Sequence, residues 1–230
     1  NAITNEMYRA ANQALVESAE NPEVRVVLFK GEGGDFTSGN DMAAFLEMTD
    51  DAQPPVLAFL LTLARYPKPV VAAVNGLAVG IGTTMLVHCD YVVAANDARF
   101  KLPFVDLGLC PEGGSSLLFP NFMGHSLAAE LLILGDIFGG EKAEKAGLIN
   151  EIASPEDVPA RALKIASKLA VKPPFATANA KAMLKKAYLS ELSDVIEAEI
   201  TQLQEMITGA ECQEALTAFA EKRRPDFSKF

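Results

Sequence analysis

One carboxylate breaks its surroundings: Glu112, in the run "GLCPEGGSSLLFP" from Gly108 to Pro120, between an apolar approach, a proline and two glycines. Such a group has two readings. It can be a charge in the first turn of a helix, favourable by about 0.3–1 kcal/mol, or an acid/base that moves a proton on a substrate. Two glycine loops add a second chemical theme: "FTSGND" from Phe36 to Asp41 and "NGLAVGIGTTM" from Asn75 to Met85. Each would set bare backbone N–H groups at the start of a helix. Amides there lack partners and are assisted by the helix dipole, so two converging sets would bind an oxyanion. One such loop alone reads as a turn, whereas two in one small domain favour the anion site. A phosphate cradle fits less well, since "GLAVGIG" only approximates a dinucleotide fingerprint and no lysine follows it.

The elements that would carry these loops follow from periodicity. After a capping-like Asn5, Met7, Ala11, Ala14, Leu15 and Ala19 fall at helical spacing. The β-branched run Val24 to Lys30 reads as a strand entering the first glycine turn. "DMAAFLEM" and "PPVLAFLLTLARYP" predict a short helix and a longer apolar one, closed by Pro67 and Pro69. The stretch from Pro69 repeats the logic: a buried strand, a glycine turn, a helix from about Ile81, and an apolar run from Tyr91 to Ala95. The pattern predicts stacked β/β/α units over residues 1–154 and a helical region over 155–230. In the latter, Phe175, Leu184, Val195, Leu203 and Met206 are spaced to pack on a partner or back onto the core, which predicts a homo-oligomer.

Composition bounds the partners. The chain has 230 residues, half of them hydrophobic, enough for one sizeable core. A formal net charge of -10 argues against nucleic acid, whose binding rests on cations neutralising phosphate. No apolar run is long enough to span a membrane, and the N-terminal residues lack a signal-peptide pattern, so a cytoplasmic location is expected, with a peroxisomal or mitochondrial matrix as the alternative. The final "SKF" misses the peroxisomal address by one residue. Cys89, Cys110 and Cys212 suit buried thiols, and no cluster has metal-ligand spacing. Lys222, Arg223 and Arg224 form a local basic cluster that is either a solvated face or a grip on a small anion.

Taken together, "FTSGND", "NGLAVGIGTTM", "CDYVVAANDARFKLPFVDLGLCPEGGSSLLFP" and "LTAFAEKRRPDF" resemble the crotonase, or enoyl-CoA hydratase/isomerase, superfamily along essentially the whole chain. The resemblance implies an α/β spiral of β/β/α turns with a C-terminal helical trimerisation region, assembled as a homo-trimer or dimer of trimers. It also implies a strand hairpin ahead of the position matching Asn1, often with a basic residue that touches coenzyme A. No cofactor is implied, because coenzyme A arrives as part of an acyl-CoA thioester substrate.

Carried over by position, the resemblance assigns the oxyanion N–H groups to Asn40 and Ile81, and coenzyme A contacts to Ser38, Asp41, Phe219 and Lys222, with Asp41 mainly a structural cap. The two glutamates of the family's hydratases fall at Thr84 and Phe104, so both are absent; Thr84, Phe104 and Leu109 are expected to line the acyl pocket. "PEGGSS" resembles the peroxisomal-type Δ3,Δ2-enoyl-CoA isomerases, in which the motif's glutamate is the sole acid/base, and this implies the same role for Glu112. Alternatives are a hydratase or other thioester-enolate enzyme using another carboxylate such as Asp106, and a noncatalytic acyl-CoA binder if Glu112 faces solvent away from the pocket. A serine hydrolase built on Ser115 or Ser116 with His125 lacks a nucleophile elbow.

Overall fold

The computed structural model describes residues 1–41 and 53–230. The "DMAAFLEM" helix expected after Asp41 lies outside the described residues. No helix among the described residues is long and apolar enough to cross a membrane.

Valine and alanine in an unbroken run, as in Val70–Val74, suit a parallel strand covered on both faces. That run is β4, and all five residues are buried. It lies second in a parallel four-stranded sheet ordered β2 (Val27–Lys30), β4, β6 (Tyr91–Ala95), β9 (Glu151–Ala153). A second strand follows soon after each of the first three: β3 (Gly39–Asn40), β5 (Leu77–Val79) and β7 (Arg99–Lys101). β5 pairs in parallel with β7, which pairs antiparallel with β8 (Phe138–Gly139), and Thr37 bridges in parallel to Ala78 beside β3. Each turn of chain therefore adds one strand to the main sheet and one to a neighbouring layer, which is the expected β/β/α spiral. The short β1 (Ala2–Ile3) pairs in parallel with β3.

Helices seal this framework. Pro55–Arg65 is apolar nearly all round and starts with proline, which suits a first-turn position with no N–H to satisfy. It packs between helix Asn5–Glu20 and helix Leu189–Ile207. Helix Val158–Ala170 covers β4 and β6.

Some local expectations change. Helix Asn5–Glu20 is capped by Thr4, whose Oγ1 accepts from the Met7 amide at 3.3 Å, so Asn5 is its first residue. Its inward face is Tyr8, Ala11, Leu15 and Ala19, while Met7 and Ala14 face solvent. The strand expected over Val24–Lys30 shortens to Val27–Lys30. The second glycine loop contains β5, and the helix from Ile81 lasts one turn, to Thr84, before a 3-10 segment, Met85–His88.

In the C-terminal helices, Leu203 is buried against the chain's own core, together with Leu192, Ile196 and Ile200. Val195 and Met206 are half-buried, and Phe175 and Leu184 are exposed. The apolar spacing of that region thus serves intramolecular packing along Leu189–Ile207 and leaves a bare apolar face on Pro174–Lys185.

Candidate active site

The two glycine loops converge. Thr37 donates its amide to Leu77 and its carbonyl accepts from Val79, at 2.9 and 3.1 Å. Gly39 has φ +91, and a Cβ there would sit 3.0 Å from the Val79 carbonyl oxygen; a Cβ on Gly82 would meet the Thr37 methyl at 2.4 Å. Glycine suits both points: Gly39 for its left-handed backbone against the Val79 carbonyl, and Gly82 for the room its missing side chain leaves to the Thr37 methyl.

The amide directions follow from strand geometry. The Asp41 N–H donates to the Ile3 carbonyl at 2.9 Å, and N–H groups alternate sides along a strand, so the Asn40 N–H faces away from β1. Ile81 is the first residue of its one-turn helix, following Gly80 with φ 54. The Gly80 carbonyl accepts from Thr83 and Thr84, so it anchors the turn while the Ile81 N–H needs no partner within it. The Asn40 side chain is fixed separately: the Tyr8 hydroxyl donates to its Oδ1.

Glu112 is 1% exposed and lies outside the helix it precedes. That helix is Ser115–Met123, capped by Gly114. Thr84 Oγ1 donates to Glu112 Oε1 at 2.5 Å, and among the described residues Oε2 has no hydrogen-bond partner. Burial pushes the Glu112 carboxyl up to about 8, with the Thr84 hydrogen bond pulling it down and the nearby Glu199 carboxylate pushing it further up. The first-turn reading of Glu112 therefore gives way to that of a buried carboxyl with one oxygen held and one unengaged. A solvent-facing Glu112 is excluded.

The turn carrying Glu112 is held from several sides. Gly113 and Gly114 have φ +74 and +76, conformations that favour glycine. A Cβ on Gly113 would lie 3.0 Å from Thr84 Oγ1, and one on Gly114 would lie 2.3 Å from Leu192 Cδ1. His88 Nε2 lies 2.8 Å from the Gly113 carbonyl oxygen. The ring is buried and pushed down to about 3, chiefly by burial, so it is neutral and can donate to that carbonyl. The Ser115 hydroxyl donates to the Glu112 carbonyl at 2.7 Å.

Glu199, on helix Leu189–Ile207, accepts from the Gly114 amide at 2.6 Å and from the Ser116 amide and hydroxyl at 3.0 and 2.5 Å. It fills the helix-start position first considered for Glu112. Sequence reading missed it, although a signal was present: Leu192, Ile196, Glu199 and Leu203 form one helical stripe with a single carboxylate among apolar residues.

Of the other expected site residues, Thr84 is fully buried and engages Glu112 directly. Phe104 and Leu109 are buried in the apolar cluster, and the Leu109 amide donates to the Phe104 carbonyl. Ser38 is exposed beside buried Thr37 and Gly39. The helix that Asp41 was expected to cap lies outside the described residues. Phe219 is 73% exposed at the end of helix Ala210–Ala220, and Lys222 follows with φ 55. Among the described residues neither makes a hydrogen bond or ion pair with the Asn40, Ile81 and Glu112 group.

Arg223 is not an open cation: it pairs with Glu214 and Glu221. Asp106, the rival carboxylate, is half-exposed and pairs with Lys101 at 2.8 Å. His125 is exposed and bonds neither serine; Ser115 and Ser116 are spent on Glu112 and Glu199. The hydrolase constellation is absent among the described residues.

The chain as a whole is similar to known proteins over nearly its full span. A sequence model of the enoyl-CoA hydratase/isomerase family matches residues 1–229. The chain belongs to that family. It is 33% identical over 230 residues to enoyl-CoA delta isomerase 2 of Rattus norvegicus, covering 97% of this chain and 59% of that protein. It is 31% identical over 233 residues to 2,3-dehydroadipyl-CoA hydratase of Escherichia coli, covering 99% of this chain and 90% of that one. Among solved structures, an enoyl-CoA hydratase/isomerase from Pseudoalteromonas atlantica superposes with a TM-score of 0.94 at 36% identity, covering 99% of this chain and 91% of that one. The spiral fold is that of this family, and the chain is an acyl-CoA enzyme of the hydratase/isomerase type.

Proposed function

We propose that this family member is an enoyl-CoA isomerase that moves a C3=C4 double bond to C2=C3 with Glu112 as its single acid/base. The observation that carries this reading is the Glu112 carboxyl itself, buried beside Thr84 with Oε2 unengaged among the described residues. Phe104 and Thr84, at the positions of the hydratase glutamates, bring no second carboxylate, and hydration needs groups that position and deprotonate a water.

The reaction balances with one carboxylate. Glu112 takes the proton from C2 of a 3-enoyl thioester; the C–H electron pair forms C1=C2, and charge moves onto the thioester oxygen. The Asn40 and Ile81 amides meet that charge, and one such donor is typically worth about 3 kcal/mol of barrier. The dienolate then collapses, the carbonyl reforms, and Glu112 returns the proton to C4. An α-proton of a thioester is a weak acid, so a carboxyl raised to about 8 is a stronger base than an ordinary glutamate. Dry surroundings keep water from competing.

Ser38, exposed beside the first loop, suits contact with the coenzyme A arm. Phe219 and Lys222, exposed at the terminal helix, suit contact with the coenzyme A of an adjoining subunit. The exposed Val171, Phe175, Met183 and Leu184 favour assembly as a homo-trimer or dimer of trimers, with light scattering as its test. The activity is tested by incubating the protein with 3-enoyl-CoA and, separately, 2-enoyl-CoA. The reading expects conjugated product from the first and little 3-hydroxyacyl product from the second. Efficient hydration without isomerisation overturns it.

A further inference from the structure

We infer that Glu199 is a positioning residue for Glu112, clamping the double-glycine turn from the C-terminal helical region through the Gly114 and Ser116 amides and the Ser116 hydroxyl. The inference rests on the acid/base reading of Glu112 and names what aims that group.

The geometry is specific. Glu199 is 8% exposed, and its two oxygens receive three donors: Oε2 the Gly114 amide, Oε1 the Ser116 amide and hydroxyl. Those amides open the nine-residue helix Ser115–Met123, which has no side-chain cap of its own. A carboxylate there satisfies unpaired donors and complements the helix dipole, but it comes from a helix 83 residues further along the chain. The approach is close: Leu192, on the same helix, lies where a Cβ on Gly114 would be, and the Cys110 thiol donates to the Glu199 carbonyl.

Because Gly113 and Gly114 both have left-handed backbones, the turn has little stiffness of its own and depends on what grips it. His88 holds one side through the Gly113 carbonyl, and Glu199 holds the other through the next amide. Glu112, one residue earlier, is thereby pinned between its Thr84 bond and a fixed helix start. Catalytic geometry is sensitive to displacements of about 1 Å, so loosening this grip is expected to lower turnover more than binding.

Glu199 also acts through its charge. Among the described residues, the titratable groups whose charges act together with that of Glu112 are Glu199 from helix Leu189–Ile207, Tyr8 from helix Asn5–Glu20 and Cys110 on the approach to the turn. Burial is the main cause of the raised Glu112 carboxyl, and of these groups Glu199 is the one whose negative charge adds to it.

The test compares Glu199→Gln and Glu199→Asp with wild type on 3-enoyl-CoA. Glu199→Gln is expected to lower kcat about tenfold or more, to leave KM within about twofold, and to move the rising limb of kcat/KM to lower pH. Glu199→Asp keeps the charge but withdraws it by one methylene, so kcat falls while the limb stays. Wild-type kcat and an unmoved limb in Glu199→Gln overturn the inference, whatever the melting temperature. The same profile in Glu199→Asp overturns it if the glutamine variant does not fold. Glu112→Gln is assayed alongside. If that variant isomerises like wild type, the acid/base reading fails instead, and the clamp is judged by hydrogen–deuterium exchange over residues 113–117. Faster exchange there in Glu199→Gln supports the clamp, and unchanged exchange removes it.

Discussion

Replacing Thr84 with valine removes one hydroxyl and keeps the side-chain shape. The hydroxyl it removes donates to Glu112 Oε1 at 2.5 Å in a fully buried setting, and this bond holds the Glu112 carboxyl below where burial alone would put it. A hydrogen bond to a charged group contributes about 1.5–3 kcal/mol. At roughly 1.4 kcal/mol per pH unit, its loss raises Glu112 by about one to two pH units. The wild-type group lies at about 8, so the rising limb of kcat/KM in the variant is expected at about 9 or above. At pH 7 the ionised fraction of Glu112 falls from about a tenth to about a hundredth or less. Activity should drop at least tenfold there and recover toward wild type as pH rises above 9. The assay is isomerisation of 3-enoyl-CoA from pH 6 to 10, at substrate concentrations well below KM. A limb that stays in place or moves to lower pH refutes the reasoning, because Thr84 would then not be stabilising the ionised form.

Glu112→Gln should be more stable than wild type in alkaline solution. The carboxyl lies at about 8 in the folded chain against an ordinary 4.5, so between those values the unfolded chain releases a proton that the folded chain keeps, and wild-type stability declines. Melting temperatures of the two proteins should converge below about pH 4.5, diverge up to about pH 8, and keep a constant gap above it; equal curves throughout contradict the raised value. Gly39→Ala must place a Cβ 3.0 Å from the Val79 carbonyl oxygen at φ +91, which shifts the Asn40 amide. Its kcat should fall on the order of 10²-fold, the scale of losing one oxyanion donor, and a wild-type kcat excludes Asn40 from that role.

The Glu112 turn and both glycine loops were legible because their residue types break the surrounding apolar pattern. A carboxylate beside paired glycines, and glycines before a helix, are local signals. The apolar strands β4 and β6 and helix Pro55–Arg65 were legible for the same reason. Contacts between distant segments were hidden. β5 is three residues long, and its pairing with β7 rather than its composition makes it a strand. Tyr8 and Met7 are adjacent, and helical spacing that includes Met7 puts the face one residue out of phase; the Asn40 side chain that draws Tyr8 inward lies 32 residues away. Leu203 and Glu199 share one inward stripe, but only the fold shows that the stripe lies against Gly114, so the carboxylate that caps helix Ser115–Met123 could not be paired with it from sequence.

The most direct test of the central claim is the isomerisation rate of Glu112→Gln on 3-enoyl-CoA at pH 8, beside a circular dichroism spectrum matching wild type. Loss of the single acid/base predicts a fall of about 10²–10⁴-fold with no 3-hydroxyacyl product formed. Isomerisation within a few-fold of wild type would contradict it, because a glutamine cannot take a proton from C2 and return it to C4.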